Sequence, residues 1–194
     1  YTMEQIADDL NHLHKELNLD QVTMIGHSLG GYTTLAFAEK YPEKLSGLSL
    51  LHSTAYPDSD EAKSGRLKAI DTIENKGLET FVDELVPKLF APSNLNSLDD
   101  EIEKTREIGR NTSSEGAIAT LTAMKNRPDR NSVLNTLTCP ILLVAGEEDQ
   151  IIDQSKTFSA EGPNIKQNVI ENTGHMSMYE NPSRLVEVIQ SFVS

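Results

Sequence analysis

The chain has 194 residues, a formal net charge of −13 and one cysteine, Cys139. Its length suits one domain with a sizeable core, and its acidity excludes a nucleic-acid-binding face and disfavours an anionic membrane surface. A single cysteine excludes an internal disulfide and a thiolate-rich metal site, and no apolar run reaches the roughly 20 residues that span a bilayer. We therefore expect a cytoplasmic protein with no nucleic-acid or membrane partner. Because the histidines and carboxylates lack metal-ligand spacing, we also expect no metal and no organic cofactor.

The first part of the chain predicts a helix, a strand, a second helix and a second strand. Thr2 followed by Gln5 has the form of a capping box, and apolar residues recur at near-helical spacing after it. A short apolar strand over 22–25 follows, then a helix over 29–40 and a buried strand over 45–51.

The middle of the chain, from residue 54 to residue 138, has the pattern of helices without strands between them. An amphipathic face runs over 78–89, where Pro87 should kink or end the helix. Two further helices are expected over 99–109 and 114–124. This block is predicted to be a helical lid between two strands.

The last part of the chain returns to alternating strands and helices. A strand over 141–145, a helix near 154–161 and a strand over 167–170 precede a final helix, which Asn181 can cap and Pro182 can begin. Such alternation implies an α/β fold with a parallel sheet. The predicted domains are an α/β core over 1–53 and 139–194 and a helical lid over 54–138.

One short motif, Gly26-His27-Ser28-Leu29-Gly30, matches the G-x-S-x-G pattern of a nucleophile elbow. In such an elbow a strand turns abruptly into a helix, with the serine at the tip. The two glycines are expected to let neighbouring backbone approach, and the Leu29 N–H to donate to a developing oxyanion. The alternative is an ordinary glycine-rich turn, but an apolar strand before the motif and an apolar helix after it favour the elbow.

A serine hydroxyl needs a neighbouring base to become a nucleophile, and the sequence has five histidines. His175 is the best candidate, because it lies in a loop directly after the last predicted strand. His52 ends the second strand and remains an alternative base. His27 is expected to support packing, and His12 and His14 are expected at the surface or boundary of the first helix.

The third member should be a carboxylate that fixes the histidine tautomer and stabilises its cation. Asp149 lies in the segment 146–149, directly after the predicted strand over 141–145, and is the preferred candidate. The chain order of Ser28, Asp149 and His175 is the serine–acid–histidine order of one hydrolase superfamily. All three follow the carboxyl ends of predicted parallel strands, where open α/β sheets bind ligands. The alternatives for the acid are Glu147, Glu148 and Asp153, or a loop that is merely solvated.

With these motifs the sequence resembles the α/β-hydrolase superfamily, and within it the lidded esterases and enol-lactone hydrolases of bacterial type. The resemblance is carried by residues 26–31, 127–129, 140–149, 174–176 and 180–182. It implies that Ser28 attacks a small carboxylic ester or lactone, with His175 accepting its proton and Asp149 orienting His175. An acyl-enzyme would form and be hydrolysed. C–C bond hydrolysis, cofactor-free perhydrolysis, and a non-catalytic binding module or inactive fragment stay open as well.

The sequence departs from the family pattern at its start. Family members carry roughly four more strands before the elbow, and a loop among them donates the second oxyanion-hole N–H. The strand over 22–25 would then be an exposed apolar edge, which favours pairing with another chain. We expect a fragment of a longer protein or half of a two-chain assembly, with a second chain supplying the missing strands.

Overall fold

The computed structural model describes residues 1–194, and its centre is a four-stranded parallel sheet. The strands are β1 (Val22–His27), β2 (Leu45–Leu51), β3 (Ile141–Gly146) and β4 (Ile165–Ile170), paired in that order. The α-helices are α1 (Met3–Glu16), α2 (Leu29–Lys40), α3 (Asp60–Lys76), α4 (Leu78–Leu85), α5 (Asp99–Arg110), α6 (Ser114–Asn126), α7 (Asn131–Thr136), α8 (Gln154–Thr157), α9 (Ser177–Glu180) and α10 (Pro182–Val193). Short 3₁₀ helices cover Pro42–Lys44, Val86–Leu89 and Pro92–Asn94. The predicted α/β fold with a parallel sheet is confirmed.

Local signals in the sequence set several element ends. The Thr2 hydroxyl accepts a hydrogen bond of 3.2 Å from the Gln5 N–H, which caps α1 as predicted. The Asn181 side chain accepts from the Arg184 N–H at the start of α10. Helix α4 ends just before Pro87, and the chain continues there as a 3₁₀ turn, because proline lacks the N–H that a longer helix needs.

Several predicted elements have different lengths in the structure, and the largest change is in a helix. The helix expected near 154–161 covers only Gln154–Thr157, because Phe158 leaves the helical conformation with φ −89° and ψ 55°. Gly162 and Pro163 follow, and neither favours a helix interior. Strand β4 begins at Ile165, two residues before the predicted start.

The insert between β2 and β3 consists of helices, as the pattern indicated, and α3 is the longest of them. Its hydrophobic face is weak, so its bounds come from its ends. The Ser59 hydroxyl accepts from the Ala62 N–H at the start, and Gly77 ends the helix with a φ of 93°. None of the chain's helices combines the length and apolar character that a membrane span requires.

Apolar side chains pack on both faces of the sheet. On one face, fully buried side chains of the two central strands, such as Leu48 and Leu143, pack against α1 and α2. On the other face, Leu142 and Val144 pack against Leu185 of α10. A third cluster lies within the insert around Phe90. Alternation along β2 and β3 therefore fixes which side chains face which layer.

Strand β1 lies at an edge of the sheet and pairs only with β2. Thr23 is exposed, and 40% of Ile25 is accessible to solvent. The exposed edge expected from the sequence is therefore present in this chain.

Candidate active site

The elbow between β1 and α2 presents Ser28 in a strained conformation. Its φ of 50° and ψ of −116° lie outside the regions that non-glycine residues favour. The Ser28 N–H donates to the Leu51 carbonyl at 2.9 Å, and the Ser28 carbonyl accepts from the Ser53 hydroxyl at 2.8 Å. These bonds fix the turn from both sides, and the side chain stands at its tip.

The glycines of the elbow do not share the steric role that the pattern predicts. A Cβ on Gly26 would lie 2.5 Å from the Gly30 carbonyl oxygen, so this position needs glycine. Gly30 itself has open space around its missing Cβ, so the expectation is wrong for it. The close contact falls on the next residue, because a Cβ on Gly31 would lie 2.2 Å from the Ser53 Oγ.

The structure brings Ser28, His175 and Asp149 into direct contact. His175 Nε2 lies 2.8 Å from the serine Oγ, and His175 Nδ1 lies 2.8 Å from the Asp149 Oδ2. When Nδ1–H donates to the carboxylate, the bare Nε2 can accept the serine proton. The imidazole and the carboxylate are both almost fully buried, at 2% and 1% exposure.

Several hydrogen bonds hold the Asp149 carboxylate in its charged form. Burial raises its pKa, but N–H groups of His175 and His52 lower it, and the net effect is a pKa well below the usual range. The other oxygen, Oδ1, accepts from the Ile151 and Ile152 N–H groups at 2.8 and 3.0 Å. The carboxylate therefore has a fixed orientation toward the histidine.

The loop that carries His175 is tied down through its backbone. The His175 N–H donates to the Leu89 carbonyl, and the His175 carbonyl accepts from the His27 Nε2, both at 2.8 Å. The Glu180 carboxylate accepts from the Gly174 and Met176 N–H groups on either side. The His27 side chain thus supports the loop by a hydrogen bond to the loop backbone. Burial, and next the nearby His175, lower the pKa of His27 to about 4.

His52, considered above as a second possible base, makes no hydrogen bond to Ser28. Its side chain is fully buried, with Nδ1 3.3 Å from the Asp149 Oδ2 and Nε2 2.7 Å from the Ser177 Oγ. Burial lowers the pKa of His52. Its backbone has a φ of 47°, and its N–H donates to the Val144 carbonyl at 2.8 Å.

The three alternative candidates for the acid form hydrogen bonds with groups other than Ser28, His175 and Asp149. Glu147 accepts from the Asn172 N–H, Glu148 accepts from the Ser93 hydroxyl, and Asp153 caps α8. None of the three forms a hydrogen bond with His175.

The two histidines of α1 differ from each other in exposure. His12 is exposed, as expected. His14 is buried at 6% exposure, and its Nδ1 lies 3.5 Å from the Lys44 Nζ. The expected surface position is therefore wrong for His14.

One residue after each of three strands, a backbone N–H donates to the next strand. Besides Ser28 and His52, the Glu147 N–H donates to the Ile170 carbonyl at 3.0 Å. The sheet ladder therefore extends into the loops that carry the site. A Cβ on Gly146 would lie 2.1 Å from the Gly174 carbonyl oxygen, so glycine is required where the two loops meet.

Ligand atoms of His52, Asp149 and His175 lie within 4.8 Å of one another, close enough to hold a metal ion. However, both Nδ1 atoms face the same carboxylate oxygen at 2.8 and 3.3 Å. The shorter distance is that of an N–H group donating directly to a carboxylate, and no metal lies between two atoms so close. Donation from His175 to Asp149 accounts for the close contact, and we assign no metal to the cluster.

A cavity of about 990 Å³ reaches Leu29, the residue after Ser28. It meets the elbow at Leu29 and the acid loop at Gln150 and Ile151, and its other walls come from α3, α4 and α6. Leu29 is the first residue of α2, where an N–H has no partner in its own helix. That N–H is a donor at the point where the cavity meets the elbow.

The chain is similar to proteins of several activities. A family model described as alpha/beta hydrolase fold matches residues 1–182. A thermophilic esterase from Thermogutta terrifontis is 33% identical with a TM-score of 0.92, and the match covers all of this chain and 72% of that one. The 3-oxoadipate enol-lactonase 2 of Acinetobacter baylyi is 22% identical over 98% of this chain and 70% of that protein. A 2-hydroxy-6-oxononadienedioate/2-hydroxy-6-oxononatrienedioate hydrolase of Burkholderia vietnamiensis is 25% identical over 91% and 64% respectively.

Proposed function

Since this chain belongs to the α/β-hydrolase family, we propose that it hydrolyses small carboxylic esters or lactones through Ser28, His175 and Asp149. The observation that carries the proposal is the pair of 2.8 Å contacts that join the serine hydroxyl to the imidazole and the imidazole to the carboxylate. Such a line of groups generates a serine nucleophile at neutral pH.

Each group then has a defined task. Ser28 Oγ attacks the substrate carbonyl carbon while His175 Nε2 takes its proton, and Asp149 stabilises the resulting imidazolium. The tetrahedral oxyanion accepts a hydrogen bond from the Leu29 N–H. His175 returns the proton to the leaving alcohol, and an acyl-enzyme remains. His175 next activates a water molecule, which releases the acid and restores the serine.

The helical segment over 54–138 would act as the lid that shapes the substrate site. Its helices line most of the 990 Å³ cavity, a size within the range of small-molecule sites. Apolar side chains such as Phe81, Leu85 and Met124 line it and suit an apolar acyl or alcohol group. A second polypeptide along the free edge of β1, and a location in the cytoplasm, stay predictions.

A second hypothesis keeps the same three residues for different chemistry. The similar proteins include an esterase, an enol-lactonase and a dienedioate hydrolase, so C–C bond hydrolysis remains the main competitor, with perhydrolysis beside it. A non-catalytic binding module is the third hypothesis, and it is the one that the strained, hydrogen-bonded serine favours least.

Covalent labelling of Ser28 tests the proposal. A fluorophosphonate probe should label the native protein but not a Ser28→Ala variant, and a panel of p-nitrophenyl esters should be hydrolysed only by the native protein. Absence of labelling in a folded protein would favour the binding module. Labelling without turnover of any ester or lactone would favour C–C hydrolysis.

A further inference from the structure

The walls of the cavity have a charge opposite to that of the whole chain. The chain has 30 acidic and 17 basic residues, yet the charged residues that line the cavity are three basic and one acidic. They are Arg66, Lys68, Lys88 and Glu84. The Arg66 Nε pairs with Asp58 at 3.1 Å, a carboxylate that also contacts Arg127.

The two lysines have no such partner. Lys68 on α3 and Lys88 after α4 are exposed, and neither ammonium group lies within ion-pair distance of a carboxylate. Both stand beside an otherwise largely apolar wall. A low-dielectric surface beside unpaired cations strengthens their attraction for an anion.

From this charge pattern we infer that the preferred substrate is an ester or lactone that carries a carboxylate, held by Lys68 and Lys88 while its ester group lies at Ser28. The inference rests on the proposed function. An apolar spacer would pack along the cavity wall between the two ends. In a chain of net charge −13, an anionic substrate would otherwise be repelled.

Two isosteric esters test the inference. The mono-p-nitrophenyl ester of glutarate ends in a carboxylate where p-nitrophenyl pentanoate ends in a methyl group. The native protein should have the lower KM for the glutarate ester, and added salt should reduce the difference. Lys68→Met and Lys88→Met should each lower kcat/KM for the anionic ester by about 2- to 5-fold, the range of exposed ion pairs, relative to kcat/KM for the pentanoate ester.

Two controls share the same surroundings. Lys76→Met removes a lysine of α3 that does not line the cavity and should change neither rate. Glu84→Gln removes the acidic group of the cavity wall and should increase the preference for the anionic ester. Equal KM values for the two esters, or an equal effect of Lys76→Met, would overturn the inference and leave the proposed function standing. No turnover of either ester and no probe labelling would overturn both.

A second inference comes from a different observation, the position of His52 and Ser177 on the far side of Asp149. Ser177 Oγ lies 2.7 Å from His52 Nε2, and His52 Nδ1 lies 3.3 Å from the Asp149 Oδ2 that His175 also contacts. The buried His52 Nδ1 has no other polar partner, so Asp149 is the group that it faces. A bare Nδ1 on His52 would face the carboxylate with a lone pair, so the proton belongs on Nδ1. Nε2 then accepts from the Ser177 hydroxyl.

We infer that His52 is a positioning residue. It contacts Asp149 on the side away from Ser28, and both His52 and His175 interact with the negative charge of Asp149. Ser177 and His52 are both fully buried, so this pair cannot itself reach a substrate. Other charged or titratable groups also face His52 from the surrounding elements. They are His27 with its ring centroid 5.8 Å away, His175 at 5.7 Å, Asp149 and Glu180.

Variants at His52 and Ser177 test the role. His52→Leu should lower kcat on the order of 10-fold with little change in KM, because the acid is less well oriented. It should also move the acidic limb of the kcat/KM profile to higher pH, because the full carboxylate charge then favours the protonated base. His52→Asn should restore most of both, since the amide can donate at the Nδ1 position and asparagine tolerates a φ of 47°.

Two further variants keep the test decisive if His52→Leu does not fold. Ser177→Ala keeps His52 at its positive φ but removes the hydrogen bond that fixes the tautomer of His52. It should shift the pH profile in the same direction by a smaller amount. His14→Leu removes a buried histidine far from the site and should leave the profile unchanged. An unaltered acidic limb in both His52→Leu and Ser177→Ala would overturn the role.

Discussion

The side chains of the candidate site are held largely by hydrogen bonds to and from the backbone. Ser28 is fixed through Leu51 and Ser53, and Asp149 through the N–H groups that follow it. Sequence motifs predicted Ser28, Asp149 and His175, because glycine spacing and strand ends leave a local signal. The contact between His52 and Ser177 left none, since it joins residues 125 positions apart.

At the scale of a single residue, Asp149→Asn should remove most of the activity while keeping the fold. An amide cannot select the Nδ1–H tautomer of His175 or stabilise its cation, and the matching change in another serine hydrolase lowers kcat about 10⁴-fold. Steady-state kinetics with a p-nitrophenyl ester measures the loss. Glu147→Gln, in the same loop but away from the imidazole, is the control. A decrease smaller than about 10-fold would contradict the assigned role of Asp149.

At the scale of elements, a helix or strand could be predicted from the sequence where an apolar pattern or a capping residue marks it. The strands were predictable because apolar runs are local properties, and α1 and α10 because their caps are, while α3 has a weak apolar face and α8 is cut short at Phe158. Cavity walls depend on how helices of the insert pack on one another, and one sequence does not encode that register in any local pattern. Division of the chain into a core and a lid stays a prediction.

Two adjacent glycines at the start of α2 offer a matched comparison. Gly31→Ala should destabilise the fold, because its Cβ would lie 2.2 Å from Ser53 Oγ and 2.5 Å from Ser53 Cβ. Gly30→Ala meets no atom within 4 Å and lies in a helix, so it should be neutral or stabilise by up to about 1 kcal/mol. Thermal unfolding of the two variants measures the difference. Equal melting temperatures would contradict the steric role assigned to Gly31.

A buried ion pair joins the two ends of the helical insert. The Arg127 Nη1 lies 2.5 Å from the Asp58 Oδ1, and both side chains are at most 5% exposed. Arg127→Met would leave a buried carboxylate with only Arg66 beside it, and should cost about 3–5 kcal/mol of unfolding free energy. Arg106→Met, in an exposed pair with Glu103, should cost less than about 1 kcal/mol. Denaturant titrations would contradict the assignment if the two costs were equal.

At the scale of the whole molecule, buried imidazoles make stability depend on pH. The pKa of His27 falls from 6.5 to about 4 on folding, so between these values the unfolded chain binds a proton that the folded chain does not. The resulting stability is complete above about pH 6.5 and is lost as the pH falls to about 4. The loss from His27 alone is about 3 kcal/mol. His52, with its lowered pKa, acts in the same direction.

Unfolding in denaturant at about pH 7, 5.5 and 4.5 measures this dependence. His27→Gln can still donate to the His175 carbonyl but does not titrate, so its free energy of unfolding should fall less steeply over this range. The exposed His12 provides the control, and His12→Gln should keep the native slope. An unchanged slope in His27→Gln would contradict the assignment.

The hydrogen bonds from Ser28, His52 and Glu147 to neighbouring strands join the loops of the candidate site to the sheet. Amides anchored in this way make the floor of the pocket as stiff as the sheet beneath it. The helices α3, α4 and α6, which lie outside the sheet, form most of the cavity wall. Substitutions in those helices would then change which molecule fits the cavity and leave the positions of Ser28, Asp149 and His175 unchanged.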